Sequence, residues 1–125
     1  LVTRILVPGE ATKGYSDFFK LGSRKYLVIS ISMVAVRVET DDQGYITEAA
    51  VAVGACSAVA KRLIALEQLL LGKNVTEDFF GLVTLGHLAP LTPIDDMRAK
   101  SDYRSDATLT MVRRALSKVG KRLQK

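Results

Sequence analysis

Between Ile29 and Val53 the chain spells out one long antiparallel hairpin. Ile31, Val34, Val36 and Val38 make a β-branched run over Ile29–Thr40, the D-D-Q-G stretch Asp41–Gly44 supplies a turn, and Tyr45–Val53 carries the return strand. From Ala58 onward the apolar period changes from two residues to nearly four. Strands followed by helices, rather than alternating with them, point to an α+β domain. The expected architecture is an antiparallel sheet of about four strands followed by three helices packed on one face, a two-layer sandwich.

The flanking elements follow from the same patterns. Leu1–Val7 reads as a strand stopped by Pro8 and Gly9, Glu10–Gly14 as a polar loop, and Tyr15–Leu21 as a second strand leaving through Gly22 and Ser23. Val59, Leu63, Leu66 and Leu70 fall at helical spacing, with Ser57 as N-cap and Gly72 as the stop. Thr76 is the expected cap of a second helix, with Glu77 and Asp78 in its first turn and Phe79, Leu82 and Val83 facing inward. Pro90 and Pro93 delay the third helix, which runs from about Asp102 to Leu123 with Ser101 as its cap. Leu1–Val7 has the character of a strand interior, with no initiator methionine or polar leader before it. The chain is therefore expected to be a piece of a longer polypeptide.

Size and composition narrow the functional classes. A chain of 125 residues, 48% hydrophobic and 25% charged, folds as one soluble domain. No run approaches the roughly 20 apolar residues of a membrane span. The single Cys56 rules out an internal disulfide framework and favours a reducing, cytoplasmic setting. The net charge of +5 would suit a basic module that binds nucleic acid or an acidic protein partner. The excess, however, gathers at Arg113, Arg114, Lys118, Lys121, Arg122 and Lys125, where cations complement the dipole of the last helix. Aromatics are only 6% and do not interleave with those cations, so nucleic acid is not the expected partner.

Candidate chemistry is sparse. Phe18–Lys25 is the best site candidate: Gly22 and Ser23 follow a strand and expose backbone amides, while Lys20 and Arg24 add positive charge. Such a corner suits an electron-rich ring or a phosphate. Asp96, Arg98, Tyr103 and Arg104 read as an ion-pair and capping network that pins the third helix to the sheet. His87 has no second histidine to form a metal site with and reads as a surface residue near a helix end. Cys56 sits among small apolar residues without a neighbouring cation and reads as core. Ser57 lacks a nucleophile-elbow context, and no glycine-rich phosphate loop is present.

Taken in order, these segments resemble the C-terminal domain of the FAD-binding (medium) subunit of molybdenum hydroxylases, the carbon monoxide dehydrogenase and xanthine dehydrogenase flavoprotein family. The resemblance rests on the strand ending in Pro8, on Phe18–Lys25 and on the hairpin turn Asp41–Gly44. It continues through the Gly54–Ala60 crossing and Glu67 with Leu71-Gly72-Lys73, and closes on Asp96, Arg98, Tyr103 and Arg104. It implies a domain that helps wall a flavin site, with FAD held mainly by an upstream FAD-binding domain. It also implies molybdenum and iron–sulfur subunits as partners, which carry the molybdenum cofactor and the clusters, and NAD as a candidate acceptor. By resemblance Lys20 lies beside the flavin ring, Gly22, Ser23 and Arg24 form the loop over it, and Val2 touches it. Such a domain is not catalytic by itself. The chain departs from the family at Leu27 and Val28, where an acidic residue usually precedes the isoleucine of the next strand.

Overall fold

A computed structural model describes residues 1–124, with the side chains of Phe79 and Phe80 outside the description. Four strands form one antiparallel sheet in sequential order: β1 (Tyr15–Gly22), β2 (Ser30–Thr40), β3 (Ile46–Gly54) and the two-residue β4 (Lys61–Arg62). The β2–β3 pair is the expected hairpin. At its tip Asp41 Oδ1 accepts the amides of Gln43 and Tyr45, each at 2.9 Å. Gly44 turns there at φ +82°, a conformation that side chains with a Cβ resist.

Alternation along these strands sorts the residues by face. Val34, Val36 and Val38 of β2 and Val51 and Val53 of β3 point into the core, joined from β1 by Phe19 and Leu21. Three α-helical segments follow: α1 (Ile64–Leu70), α2 (Phe79–Leu82) and α3 (Ser101–Leu123). The core closes with Leu63, Leu66 and Leu70 around α1 and with Val112, Ala115, Leu116 and Val119 of α3. This is the α+β sandwich expected from the change of period.

Four expectations need correction. Among the described residues only α1 and α3 extend beyond one turn. The middle helix is a four-residue turn around Gly81, so the layer holds two real helices rather than three. Leu1–Val7 is not a strand: it is exposed throughout and pairs with nothing in the sheet. A β-prone run becomes a strand only where a neighbour accepts its ladder. The first helix begins at Ile64 instead of near Ala58, because Lys61–Arg62 first pairs with Val53 and Ala52. Finally, the expected caps do other work. Ser57 Oγ accepts the Thr92 amide, Thr76 bonds Asn74, and the α3 amide at Ser101 is capped by Asp95 Oδ1 from upstream at 2.5 Å. Leu82 and Val83 pack inward as read, whereas the inward placement of Phe79 lies outside the described residues. Gly72 does stop α1, turning at φ +74° and donating to Ile46 O at 2.8 Å.

Candidate functional site

The helices cover one face of the sheet. By strand alternation the other face carries Phe18 and Lys20 from β1, Ala35 and Arg37 from β2, and Ala50 and Ala52 from β3. A shallow depression of about 470 Å³ lies over Phe18, Ala35, Ala50 and Ala52, with Phe18 itself 56% exposed. Arg37 closes one end, ion-paired to Glu48 and donating to Lys13 O at 3.0 Å.

At the other end of β1 lies the corner singled out in the sequence. Lys20 is exposed, and Gly22 ends the strand. A Cβ on Gly22 would lie 2.3 Å from Val28 Cγ1, so any larger residue here would have to push the Val28 side chain aside. Arg24 Nη2 donates to Leu27 O at 3.1 Å, closing the loop on itself, and Leu27 adopts φ +45°. Lys25 Nζ stands 5.2 Å from the ring centroid of Tyr26. Lys20 and Gly22 thus lie at the end of β1, and Ser23 and Arg24 lie in the exposed turn that follows it. Val2 stands apart, in the exposed N-terminal segment outside the sheet and core.

The Asp96 network is structural in its geometry. Asp96 Oδ1 accepts the amides of Arg98 at 2.8 Å and Ala99 at 3.1 Å and Arg104 Nη2 at 2.7 Å, and Oδ2 takes Arg98 Nη1 at 2.8 Å. Arg104, buried to 2% exposure, continues to Ile31 O at 2.6 Å, so one guanidinium joins the Asp96 turn to β2. Tyr103 does not share in it and is exposed. Sequence reasoning missed the companion buried cluster, in which Ser32 Oγ and Thr108 Oγ1 lie 2.7 Å apart and Cys56 Sγ lies 3.4 Å from Thr108. The signal for Thr108 was its place on the apolar stripe of α3. Cys56 is core, as read, and His87 accepts the Thr84 amide at Nδ1, 3.0 Å away, to close a short 3₁₀ turn. Among the described residues no group of three or more metal-ligating side chains assembles.

Three aspartates titrate low. The Asp96 carboxyl is held far below the usual carboxylate range, first by the Arg98 amide and, against a burial penalty, by Arg104, Ala99 and the Arg98 side chain. The Ser101 amide lowers Asp95. Burial raises Asp17, but bonds from Lys118 and the Phe18 amide and the charges of Lys118 and Arg122 outweigh it. Depressed carboxylates stabilise the fold fully above their unfolded value of about 3.9 and lose that contribution progressively as pH falls toward the folded value. Thermal midpoints should therefore be flat above about pH 5 and fall below about pH 4. In the Asp96→Asn variant the midpoint should be lower at neutral pH and the acid slope shallower. An unchanged slope would remove Asp96 from the account.

A family model for the CO dehydrogenase flavoprotein C-terminal domain matches residues 17–119. The chain belongs to this family. Membership agrees with the resemblance read from the order of Phe18–Lys25, the hairpin, Gly72-Lys73 and Asp96–Arg104. No curated protein matches the chain. Among solved structures, quinoline 2-oxidoreductase from Pseudomonas putida 86 superposes with a TM-score of 0.78 at 21% identity, covering 88% of this chain and 38% of that one. The reconstituted CO dehydrogenase from Oligotropha carboxidovorans gives 0.74 at 19% identity, over 86% and 37%. The CO dehydrogenase from Hydrogenophaga pseudoflava, in a form lacking the Mo-pyranopterin moiety, gives 0.68 at 28% identity, over 81% and 34%. The family domain thus spans little more than a third of the solved chains it matches. No helix among its described residues is long and apolar enough to cross a membrane.

Proposed function

We propose that this domain walls one side of a flavin site in a molybdenum hydroxylase-type oxidoreductase. In this reading an upstream domain holds most of the FAD, and partner subunits carry molybdenum and iron–sulfur clusters. The observation that carries the proposal is the exposed corner Lys20–Arg24 at the end of the edge strand, beside an apolar sheet face that the domain's own helices leave uncovered. The residue chemistry fits the group. Lys20 offers an ammonium to the electron-rich edge of a ring, Ser23 a hydroxyl, and the closed turn from Gly22 to Val28 a preshaped rim. Phe18 and the alanines offer the apolar surface on which a second domain packs. Val2, exposed in the N-terminal segment, is assigned to the same ring by the family resemblance alone. When bound, FAD supplies the two-electron redox chemistry, while the residues here orient it and exclude water from one side.

The family's usual acid is replaced near Val28, which packs against Gly22 instead. Any polar contact that acid makes near the flavin is therefore missing here, and the rim is held by packing and the Arg24–Leu27 bond. The test is Lys20→Ala in the flavin-loaded protein. The flavin midpoint potential should fall and the rate of its reoxidation should change, because a cation near a reduced flavin stabilises its negative charge. An unchanged potential together with an unchanged rate would remove Lys20 from the site.

A further inference from the structure

The outer edge of β1 is guarded along only half its length. In an antiparallel ladder alternate residues turn both backbone groups away from the neighbouring strand. Ser16 and Phe18 are such residues. Arg122 Nη1 takes the Ser16 carbonyl at 3.3 Å, and the Phe18 amide donates to Asp17 Oδ1 at 2.8 Å. Lys20 is the next residue in that alternation, and neither of these side-chain guards reaches it. Beside it, between β1 and α3, runs a groove with a depression of about 430 Å³ over Phe19, Leu21, Tyr103 and Ala107. A second depression of about 320 Å³ shares Phe19 and Arg114 with the first and continues to Lys121. From Tyr103 to Lys121 the helix rises roughly 27 Å, which matches about eight residues of extended chain.

The charge along this groove is uneven. Asp106 lies at the Tyr103 end. At the far end Lys118 is paired with Asp17 at 2.7 Å, while Arg114 and Lys121 stand exposed. We propose that this edge and groove dock an extended segment of a partner protein that adds to β1 at Lys20, rests apolar side chains over Phe19 and Leu21, and carries its acidic residues along Arg114 and Lys121. Main-chain bonds at the edge and apolar side chains in the groove supply the affinity, and the two cations set the direction in which the segment lies. The proposal goes beyond the flavin reading. The two readings share Lys20, but Arg114 and Lys121 lie outside the Lys20–Arg24 corner, so the Arg114→Glu/Lys121→Glu variant tests the groove without touching the flavin corner.

The probe is a fluorescein-labelled peptide of four alternating valines and threonines followed by four glutamates, titrated with the protein by anisotropy at low salt. Its counterpart carries lysines for the glutamates. The acidic peptide should bind and weaken with added salt, and the basic one should not bind. Arg114→Glu/Lys121→Glu should weaken binding by roughly tenfold or more, the scale of lost steering between complementary charges. Lys20→Pro removes the outward amide, and edge strands tolerate proline with its nitrogen toward solvent. It should abolish binding. If that variant fails to fold, N-methylation of alternate peptide amides is the equivalent measurement. Equal binding of both peptides, or acidic binding indifferent to Lys20→Pro and N-methylation, would overturn strand addition. Self-association abolished by the Arg114/Lys121 variant would make the occupant a second copy. Displacement of the peptide by a single-stranded oligonucleotide would make it nucleic acid, and either result overturns the proposal.

Discussion

Replacing Arg104 with methionine should cost the domain about 2–3 kcal/mol, the scale for a buried acceptor left without the charged donor that had met it. Against a typical domain stability of about 5–15 kcal/mol, that is a sizeable fraction of the whole. The reason is the number of groups left without partners. Ile31 O accepts Nη1 at 2.6 Å, Ala55 O lies at 3.4 Å from the same nitrogen, and Asp96 accepts Nη2 at 2.7 Å. Ala55 itself holds φ +64°, a conformation alanine adopts only when its surroundings require it. The crossing out of β3 therefore depends on the bond from α3. Arg104→Lys keeps the charge but not the fork, and one ammonium cannot serve β2 and Asp96 together. Urea midpoints should fall in the order wild type, Arg104→Lys, Arg104→Met. The double variant Arg104→Met/Asp96→Asn should be less damaged than the sum of its parts, because no buried guanidinium is then left without its carboxylate. Strict additivity would show that the two residues stabilise α3 independently.

The Arg104 hub sits next to the Ser32–Thr108–Cys56 cluster, one helical turn further along α3. Together they fix where α3 crosses β2. Near the other end Arg113 grips Val83 O with Nε at 3.0 Å and Nη2 at 2.7 Å, and Lys118 and Arg122 reach β1. Much of the basic excess that first suggests a nucleic-acid ligand is thus spent on docking the helix. The position of α3 also forms one wall of the edge groove, so a change at Arg104 that shifts the helix disturbs the groove as well as the fold.

How far the sequence reveals this arrangement depends on whether a signal is local. The β2–β3 hairpin is legible because its alternation, its Asp41 turn and Gly44 all lie within one stretch of chain. The helix α3 is legible because Arg104, Thr108, Met111, Val112 and Ala115 repeat at helical spacing and are all buried. Leu1–Val7 misleads because alternation records the capacity to form a strand but not the presence of a neighbour. Val59 misleads differently: it falls in step with Leu63, Leu66 and Leu70, yet it is 68% exposed, since the chain before Ile64 is spent on the loop and β4. The candidate corner Lys20–Arg24 stands out in the sequence because glycine, serine and a cation follow one strand directly. The uncovered alanine face and the half-guarded edge could not, because each is assembled by pairings between distant residues.

The role of Glu67 is equally non-local, and it carries the second large effect. Its Oε1 accepts the Val51 amide at 2.8 Å and also meets Arg62 Nε, while Oε2 takes Arg62 Nη2 at 2.8 Å. Leu63 donates to Val51 O at 2.9 Å, so a side chain from α1 completes the bonding of a β3 residue just where β4 ends. Arg62 gains as well, since the Glu67 side-chain bond, opposed by burial, raises its pKa above the usual value. Glu67→Ala would strand the amide of Val51, a fully buried residue, and should cost about 2–3 kcal/mol, the scale for an unmet buried donor that had bonded a charged acceptor. Glu67→Gln keeps an oxygen for that amide and gives up only the pairing with Arg62, whose side chain is 52% exposed and can return to water. It should cost under about 1 kcal/mol. Hydrogen exchange separates the two contributions: the Val51 amide should lose protection in Glu67→Ala and keep most of it in Glu67→Gln. Equal loss in both variants would mean that the ion pair, and not the amide bond, holds α1 against the sheet.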